Sequence, residues 1–241
     1  MRPIHRVILR FAFAITGATA FGLATAATPA VPAFVAHYEL LRNGSTIGKA
    51  TLTLAPQGNG TWSFVTTSKG TAGLAGLLGI SSREVSVFQW TGGLPQCDSY
   101  DFKLDTGLKT KHRTVRCDWN RHVITVHDKI DYTYATQPGT LERHTVPLAL
   151  AAGLAAGQRT FDLPVAVRDR IETQHYVAAD PVSVRVPAGT FDAIRVTRTG
   201  GSNAFEAWFA PGKLPVPVKI DQGGKNDLAL VLESWSATPK P

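Results

Sequence analysis

Few residues in this chain have the type and spacing to do chemistry. The stretch GTAGLAGLLGISSR, Gly70 to Arg83, places glycines at 70, 73, 76 and 79, and a glycine-rich backbone is what cradles a phosphate. Its spacing fits neither a dinucleotide fingerprint nor a P-loop, and Lys69 precedes the glycines instead of following them. The run Ser81-Ser82-Arg83-Glu84 sets hydroxyls beside charges, as an activated nucleophile requires, but reads more simply as the polar stop after an apolar segment. The histidines beyond the N-terminal segment are His37, His112, His122, His127, His144 and His175. His122 and His127 are five apart on an expected strand, hence on opposite faces, and hold no metal jointly without a bulge. His37 shares the outward parity of Glu39, and single histidines on strands lack convergent partners. No G-x-S-x-G elbow, H-E-x-x-H pair or acidic calcium loop occurs. The expectation is therefore a protein that is not an enzyme, with no catalytic residue, no metal and no cofactor.

Two cysteines, Cys97 and Cys117, are the remaining reactive groups, and their meaning depends on compartment. The chain opens with Arg2, Arg6 and Arg10 ahead of an apolar run that ends in small residues, and Ala24-Thr25-Ala26 reads as a cleavage site. That pattern is a secretory signal peptide, so residues 1–26 are set aside and 27–241 are read as one β-rich domain. The apolar run is diluted by Gly and Thr and too short to span a bilayer, so the exported protein is expected to be periplasmic or secreted and not membrane-spanning. The leader holds three of the 25 Lys and Arg and no acid, leaving 22 against 18, or +4 in place of +7. Nucleic acid is a poor partner for so slight an excess. Exported thiols oxidise, so Cys97 and Cys117 are expected to pair as a disulfide. A hairpin folded about Gly107 sets them opposite each other, with Asp101 facing Arg113 and Lys103 facing Lys111.

Elements that could position such groups are mostly strands. FVAHYELLR and KATLTL alternate apolar and polar residues around Asn43-Gly44. A strict two-residue loop would put their apolar sets on opposite faces, whereas a three-residue loop over Asn43–Ser45 pairs Tyr38 with Ala50 and Ala36 with Leu52. Short β-branched or aromatic segments separated by Gly, Pro, Asn or Asp continue to LALVLESW. The expected fold class is mainly β, an antiparallel curled sheet forming a half-barrel or barrel. Two segments resist the strand reading: Gly70 to Arg83, expected as a short helix, and TVPLALAAGLAAGQR, Thr145 to Arg159, with Pro147 in its first turn and Gly157 near its end. Both are expected to cover the concave side of the sheet.

The C-terminal half carries VPAGTFDAIRV and AWFAPGKLPVPVKID. With FVAHYELLRNGSTIGKATLTL and GGLPQCDSYDF, these segments resemble a bacterial secreted family, domain of unknown function 3108. The resemblance covers nearly the whole mature chain and implies an exported β-rich protein, with no catalytic residue to transfer. A weaker likeness, the segment from Trp208 to Pro211 followed by Leu214-Pro215, is to the half-barrels that carry lipoproteins and hold acyl chains between a curved sheet and a helical lid. The chain departs from them in its two small Ala- and Gly-rich helices. In their own right, Pro187, Gly189 and Phe191 read as a tight hairpin, and Pro215 and Pro217 as a strand start or edge.

Two functions follow. In the first, a lipid or other apolar small molecule is held by Tyr38, Leu52, Trp62, Phe64, Phe88 and Trp90 of the concave face, beneath Leu74, Leu77, Leu78 and Leu150 of the two helices. In the second, the same apolar loops dock an envelope protein or a membrane face in a structural or assembly role.

Overall fold

The computed structural model describes residues 31–201, 204–223 and 227–238; the leader expected over residues 1–26 lies outside them. The first half of the chain is a succession of hairpins: β1 (Phe34–Arg42), β2 (Ser45–Gly58), β3 (Thr61–Gly70), β4 (Ser81–Thr91), β5 (Leu94–Asp105), β6 (Thr110–Asp118), β7 (Val123–His127) and β8 (Tyr132–Ala135). Helix α1 (Gly73–Leu77) interrupts it between β3 and β4. The second half starts with β9 (Leu141–Glu142), a 3₁₀ turn (Arg143–Thr145) and helix α2 (Val146–Ala155). It continues through β10 (Thr160–Ala166), β11 (Ile171–Val186), β12 (Gly189–Thr199), β13 (Glu206–Phe209), β14 (Pro217–Gln222) and β15 (Leu228–Ala237).

These strands form one 15-stranded sheet, with β15 paired to β1 so that the two halves join at the middle. Neighbours are antiparallel except β9 and β10. The free edges are β8 and β9, so the sheet curls without closing. The edges nevertheless approach: the Tyr134 hydroxyl donates to the Val167 carbonyl at 2.7 Å, and the Cys97 amide donates to the Thr140 carbonyl at 3.0 Å.

Local register follows from side-chain parity, with bulges making the adjustments. Tyr38 faces Ala50 and Ala36 faces Leu52, as the apolar pattern requires. The three-residue loop is not used, however: Arg42 pairs Ser45 across a two-residue Asn43-Gly44 turn with positive φ at both residues, and Ile47 is the extra residue of a bulge. The hairpin about Gly107 is also one residue offset from expectation. Asp101 faces Thr114, Phe102 faces Arg113 and Lys103 faces His112, which removes the Lys103–Lys111 repulsion. A four-residue turn achieves this, with Asp105 Oδ1 accepting the Gly107 amide. The Pro187-Ala188 turn joins Val186 to Gly189, whose φ is +134°, and Pro217 opens β14.

The two apolar segments have unlike fates. Helix α2 buries Val146, Leu148, Ala149, Leu150, Ala152 and Leu154 among residues of both sheet halves. It is apolar on every side, as a helix enclosed by its surroundings must be. Helix α1 buries nothing and stands at the end of the β3–β4 hairpin, so it does not cover the concave side. Its glycines do not form one close-packing stripe. A Cβ on Gly70 or Gly76 would strike the loop's own backbone at Ala75 or Thr71, whereas Gly73 and Gly79 supply left-handed turns.

Candidate functional site

Strand direction defines two ends of the curled sheet. The turns β1–β2, β3–β4, β5–β6, β7–β8, β10–β11, β12–β13 and β14–β15 share one end, since successive antiparallel connections alternate. Helix α2 occupies the interior, and its N-terminal residues Val146 and Pro147 face a cavity of about 1380 Å³ beneath those turns. Apolar wall comes from Leu52, Phe64, Ile220 and Leu230, while polar side chains enter from β4, β5, β6, β11, β12 and the 3₁₀ turn.

The innermost polar group is Glu142, fully buried at the start of the 3₁₀ turn. Its Oε1 accepts Ser86 Oγ at 2.5 Å and the Thr145 amide at 3.1 Å, and its Oε2 accepts the His144 amide at 2.7 Å. Burial pushes the Glu142 carboxyl above its ordinary value, against the opposing pull of His144 and of the donors. Beyond it, His144 Nδ1 lies 2.7 Å from Ser86 Oγ and Nε2 lies 2.8 Å from Thr66 Oγ1, with the imidazole stacked on Phe64 at 4.5 Å between ring centres. A proton on Nδ1 satisfies the whole series: Thr66 donates to His144, His144 to Ser86, and Ser86 to Glu142. Ser86 has no exposure, so its hydroxyl is a strut, not a nucleophile open to substrate.

Nearer the mouth lie charges. Tyr100 Oη donates to Glu84 Oε2 at 2.6 Å, and Arg143 lies 3.8 Å from the same oxygen. Arg170 pairs with Asp169 at 2.9 Å, and Glu172 takes Arg198 and, at 3.6 Å, Arg170. Each carboxylate lining the cavity is thus engaged. Arg113 and Arg168 line it as well, yet neither has an ion-pair partner among the described residues. The Nε of Arg113 is buried without a hydrogen-bond partner, whereas Arg168 is exposed, 5.8 Å from the Tyr132 ring centre, where the Tyr132 hydroxyl and the Asp128 and Asp169 charges hold its pKa up.

Of the residues expected at a ligand, Leu52 and Phe64 face the cavity. Tyr38 is in the core, donating to the Pro217 carbonyl at 2.8 Å, and Phe88 is enclosed beside Trp90, their rings edge to face. Trp62 and Trp90 pack against that core, and Leu150 is buried in the cluster around α2. Leu74 and Leu77 of α1 and Leu78 at its C-cap are exposed and do not line the cavity. Cys97 and Cys117 come together, because Asp98 is the extra residue of a bulge that turns Cys97 inward. They remain free thiols, so the expected bridge is not formed in this structure. Contact with Cys117 and burial push the Cys97 thiol well up.

Reading along the chain missed Thr66, Glu84, Ser86, Tyr100, Arg113, Glu142, Arg143 and His144 as a set. His144 lies on a 3₁₀ turn, not a strand, and does have convergent partners. The signal that would have found it is Glu142-Arg143-His144, three chemically capable residues immediately ahead of the apolar helix. His122 likewise lies in a turn at positive φ, before β7. Among the described residues no three His, Cys, Asp or Glu gather in a way that holds a metal ion.

One large, mostly antiparallel, curled and unclosed sheet, with α2 buried in its core clusters and a cavity lined by polar and apolar side chains, defines the class: a mainly β protein. Within that class the chain belongs to the family described as proteins of unknown function, DUF3108, which it matches over residues 34–225. It is similar to the crystal structure of a beta-barrel-like protein of domain of unknown function DUF1849 from Brucella abortus, at 13% identity over 87% of this chain and 99% of that one, with a TM-score of 0.44. A Bacteroides fragilis protein with a YmcC-like fold, proposed in its description to be exported, is similar at 12% identity over 87% of this chain and 96% of that one, with a TM-score of 0.28. No curated protein matches the chain.

Proposed function

We propose that this protein is a non-enzymatic binder of an anionic amphiphile, acting outside the cytoplasm after loss of residues 1–26. The observation that carries the reading is the cavity of about 1380 Å³, in which apolar wall meets two guanidinium groups, on Arg113 and Arg168, without carboxylate partners. An acyl chain or other apolar body fits against Leu52, Phe64, Ile220 and Leu230, where its burial is favourable. A phosphate or carboxylate head then takes Arg113 and Arg168, since guanidinium binds such groups by charge-assisted pairs. A structural role for Ser86, in place of a nucleophilic one, is supported by its enclosed hydroxyl directed at Glu142. Export is supported by the leader pattern, and under oxidising conditions Cys97 and Cys117 are placed to bridge.

The test is purification of the protein from its native envelope, organic extraction and lipid mass spectrometry, together with titration of a fluorescent fatty acid. An anionic amphiphile is expected in the extract, and Arg113→Gln is expected to weaken fatty-acid affinity about tenfold, the worth of one charge-assisted hydrogen bond. An empty extract and no fatty-acid binding would overturn the reading.

A further inference from the structure

The mouth of the curled sheet carries a second feature that the cavity does not use. Leu74 and Leu77 on α1 are 74% and 81% exposed, and Leu108 on the β5–β6 turn is 82% exposed. Ile130, on the β7–β8 turn, is 60% exposed. These three turns are consecutive around the mouth, so the apolar tips form one sector of it. Between Gly73 and Ile80 no side chain is polar. The tips are held and not loose: the bulge at Ile47 turns its carbonyl to accept the amides of Thr71 and Ala72 at 2.9 and 3.3 Å. Gly107 packs on the Leu78 carbonyl so closely that a Cβ there would lie 2.4 Å from its oxygen.

Directly behind the tips the outer face of the sheet is cationic. Lys49 stands opposite Lys69 and Arg83 opposite Lys103, arrangements that oppose sheet stability. Lys49 has Glu233, but Lys69, Arg83, Lys103 and the tip residue Lys109 have no ion-pair partner among the described residues. The acids of this sector are fewer than its cations: Glu39 stands opposite Lys49, Asp101 lies 3.0 Å from His112, Asp105 accepts the Gly107 amide, and Asp131 lies 3.0 Å from His127.

The geometry points to a membrane-docking edge: Leu74, Leu77 and Leu108 enter the interface of an anionic lipid surface while Lys69, Arg83, Lys103 and Lys109 meet its headgroups. Leucines on separate protruding tips suit a deformable plane, and the unneutralised cations give that plane its sign. Docking there would set the mouth of the cavity against the bilayer. The use of this edge for ligand exchange rests on the binding function proposed above, but its test does not.

The experiment is co-sedimentation of the protein purified from its native host with vesicles of phosphatidylcholine alone or of about three parts phosphatidylcholine to one part phosphatidylglycerol. Binding is expected only to the anionic vesicles and is expected to fall as salt rises from about 0.05 to 0.5 M, where screening shortens the reach of the lysines. The double variant Leu74→Asp, Leu77→Asp is expected to lose at least about tenfold in partition. The pair Lys69→Gln, Lys103→Gln is expected to lose about tenfold. Thermal midpoints unchanged from the parent confirm that these exposed sites leave the fold intact. Lys213→Gln, on the exposed β13–β14 connection at the opposite end of the sheet, is expected to partition as the parent does, and vesicle binding is read without any cavity ligand, so failure of the ligand reading leaves this result standing. No partition onto anionic vesicles, equal partition onto neutral ones, or undiminished partition of the leucine variant would each overturn the proposal. Self-association through the same leucines without vesicle binding would overturn it in favour of a protein partner.

Discussion

Glu142 shows how a single side chain ties the interior of this curled sheet together. Its two oxygens serve the 3₁₀ turn and β4 at once, so the start of α2 is registered against the sheet by one carboxylate. Burial raises its folded-state pKa above the ordinary 4.5, which means the fold binds the proton more tightly than the unfolded chain does. The stability linked to this group is therefore greatest below about pH 4.5 and is lost as pH rises through the raised folded value. Urea unfolding of Glu142→Gln across that range is expected to show a shallower decline with pH than the parent. A general loss of about 1–3 kcal/mol is expected on top, because the new amide group would face N–H and O–H donors. The same slope in parent and variant would show that Glu142 is not the titrating group. The cysteines give a second expectation at this scale. If the exported protein bridges Cys97 to Cys117, alkylation without reductant finds no free thiol, and reduction lowers the unfolding free energy by about 3 kcal/mol, the value for a loop of this length. Much of this chemistry was hidden in the sequence for a physical reason: pairing of β3 with β4 brings Thr66 and Ser86 near each other, His144 reaches them from the 3₁₀ turn across the curled sheet, and no local spacing encodes that. The convergence of the cysteines was readable from turn and parity, although the bulge at Asp98 that completes it leaves no mark in composition.

At the level of elements, the two apolar segments look alike in composition and are used in opposite ways. Helix α2 has Leu and Ala on all sides and is surrounded, so Leu150→Ala is expected to cost about 2–5 kcal/mol in denaturant unfolding through the cavity it leaves. Helix α1 is a single turn with no buried residue. Leu74→Asp is expected to change stability by no more than about 0.5 kcal/mol, the range for surface sites. Equal costs at the two positions would contradict the burial described. The contrast was partly legible: ten residues of Leu, Ala, Val, Pro and one Gly can bury a helix, whereas glycine at every third position weakens a short one. What the sequence left open was the side of the sheet on which the glycine-rich turn falls, because that depends on the Ile47 bulge. Gly107→Ala probes the contact between tips. Its φ of +76° and the nearby Leu78 carbonyl both resist a methyl group, and the substitution is expected to lower stability by about 1–3 kcal/mol.

For the whole molecule, the open seam and the cavity belong to one design. A fully closed barrel of fixed circumference would hold a fixed lumen, but here the two edges are not paired with each other and each rests on the opposite half, Tyr134 of β8 on the Val167 carbonyl beyond β10 and the Thr140 carbonyl ahead of β9 on the Cys97 amide of β5. Arg168, next to that carbonyl, lines the cavity, so a head group held there also bears on the seam. On the binding function proposed above, ligand and closure would be linked: an anion bound by Arg113 and Arg168 would stabilise the fold by mass action, about 2.7 kcal/mol when free ligand is a hundred times Kd. Added anionic amphiphile at submicellar concentration is accordingly expected to raise the thermal midpoint of the parent in a concentration-dependent way. Arg113→Gln at the same concentrations is expected to show a smaller rise. Tyr134→Phe, which removes the seam bond while keeping the ring, is expected to lower the ligand-free midpoint, with about 1 kcal/mol lost, and to retain most of the ligand-induced rise because the head group's own contacts survive. A midpoint that ignores the amphiphile in all three proteins would separate the seam from the cavity, leaving the arginines as surface charges only.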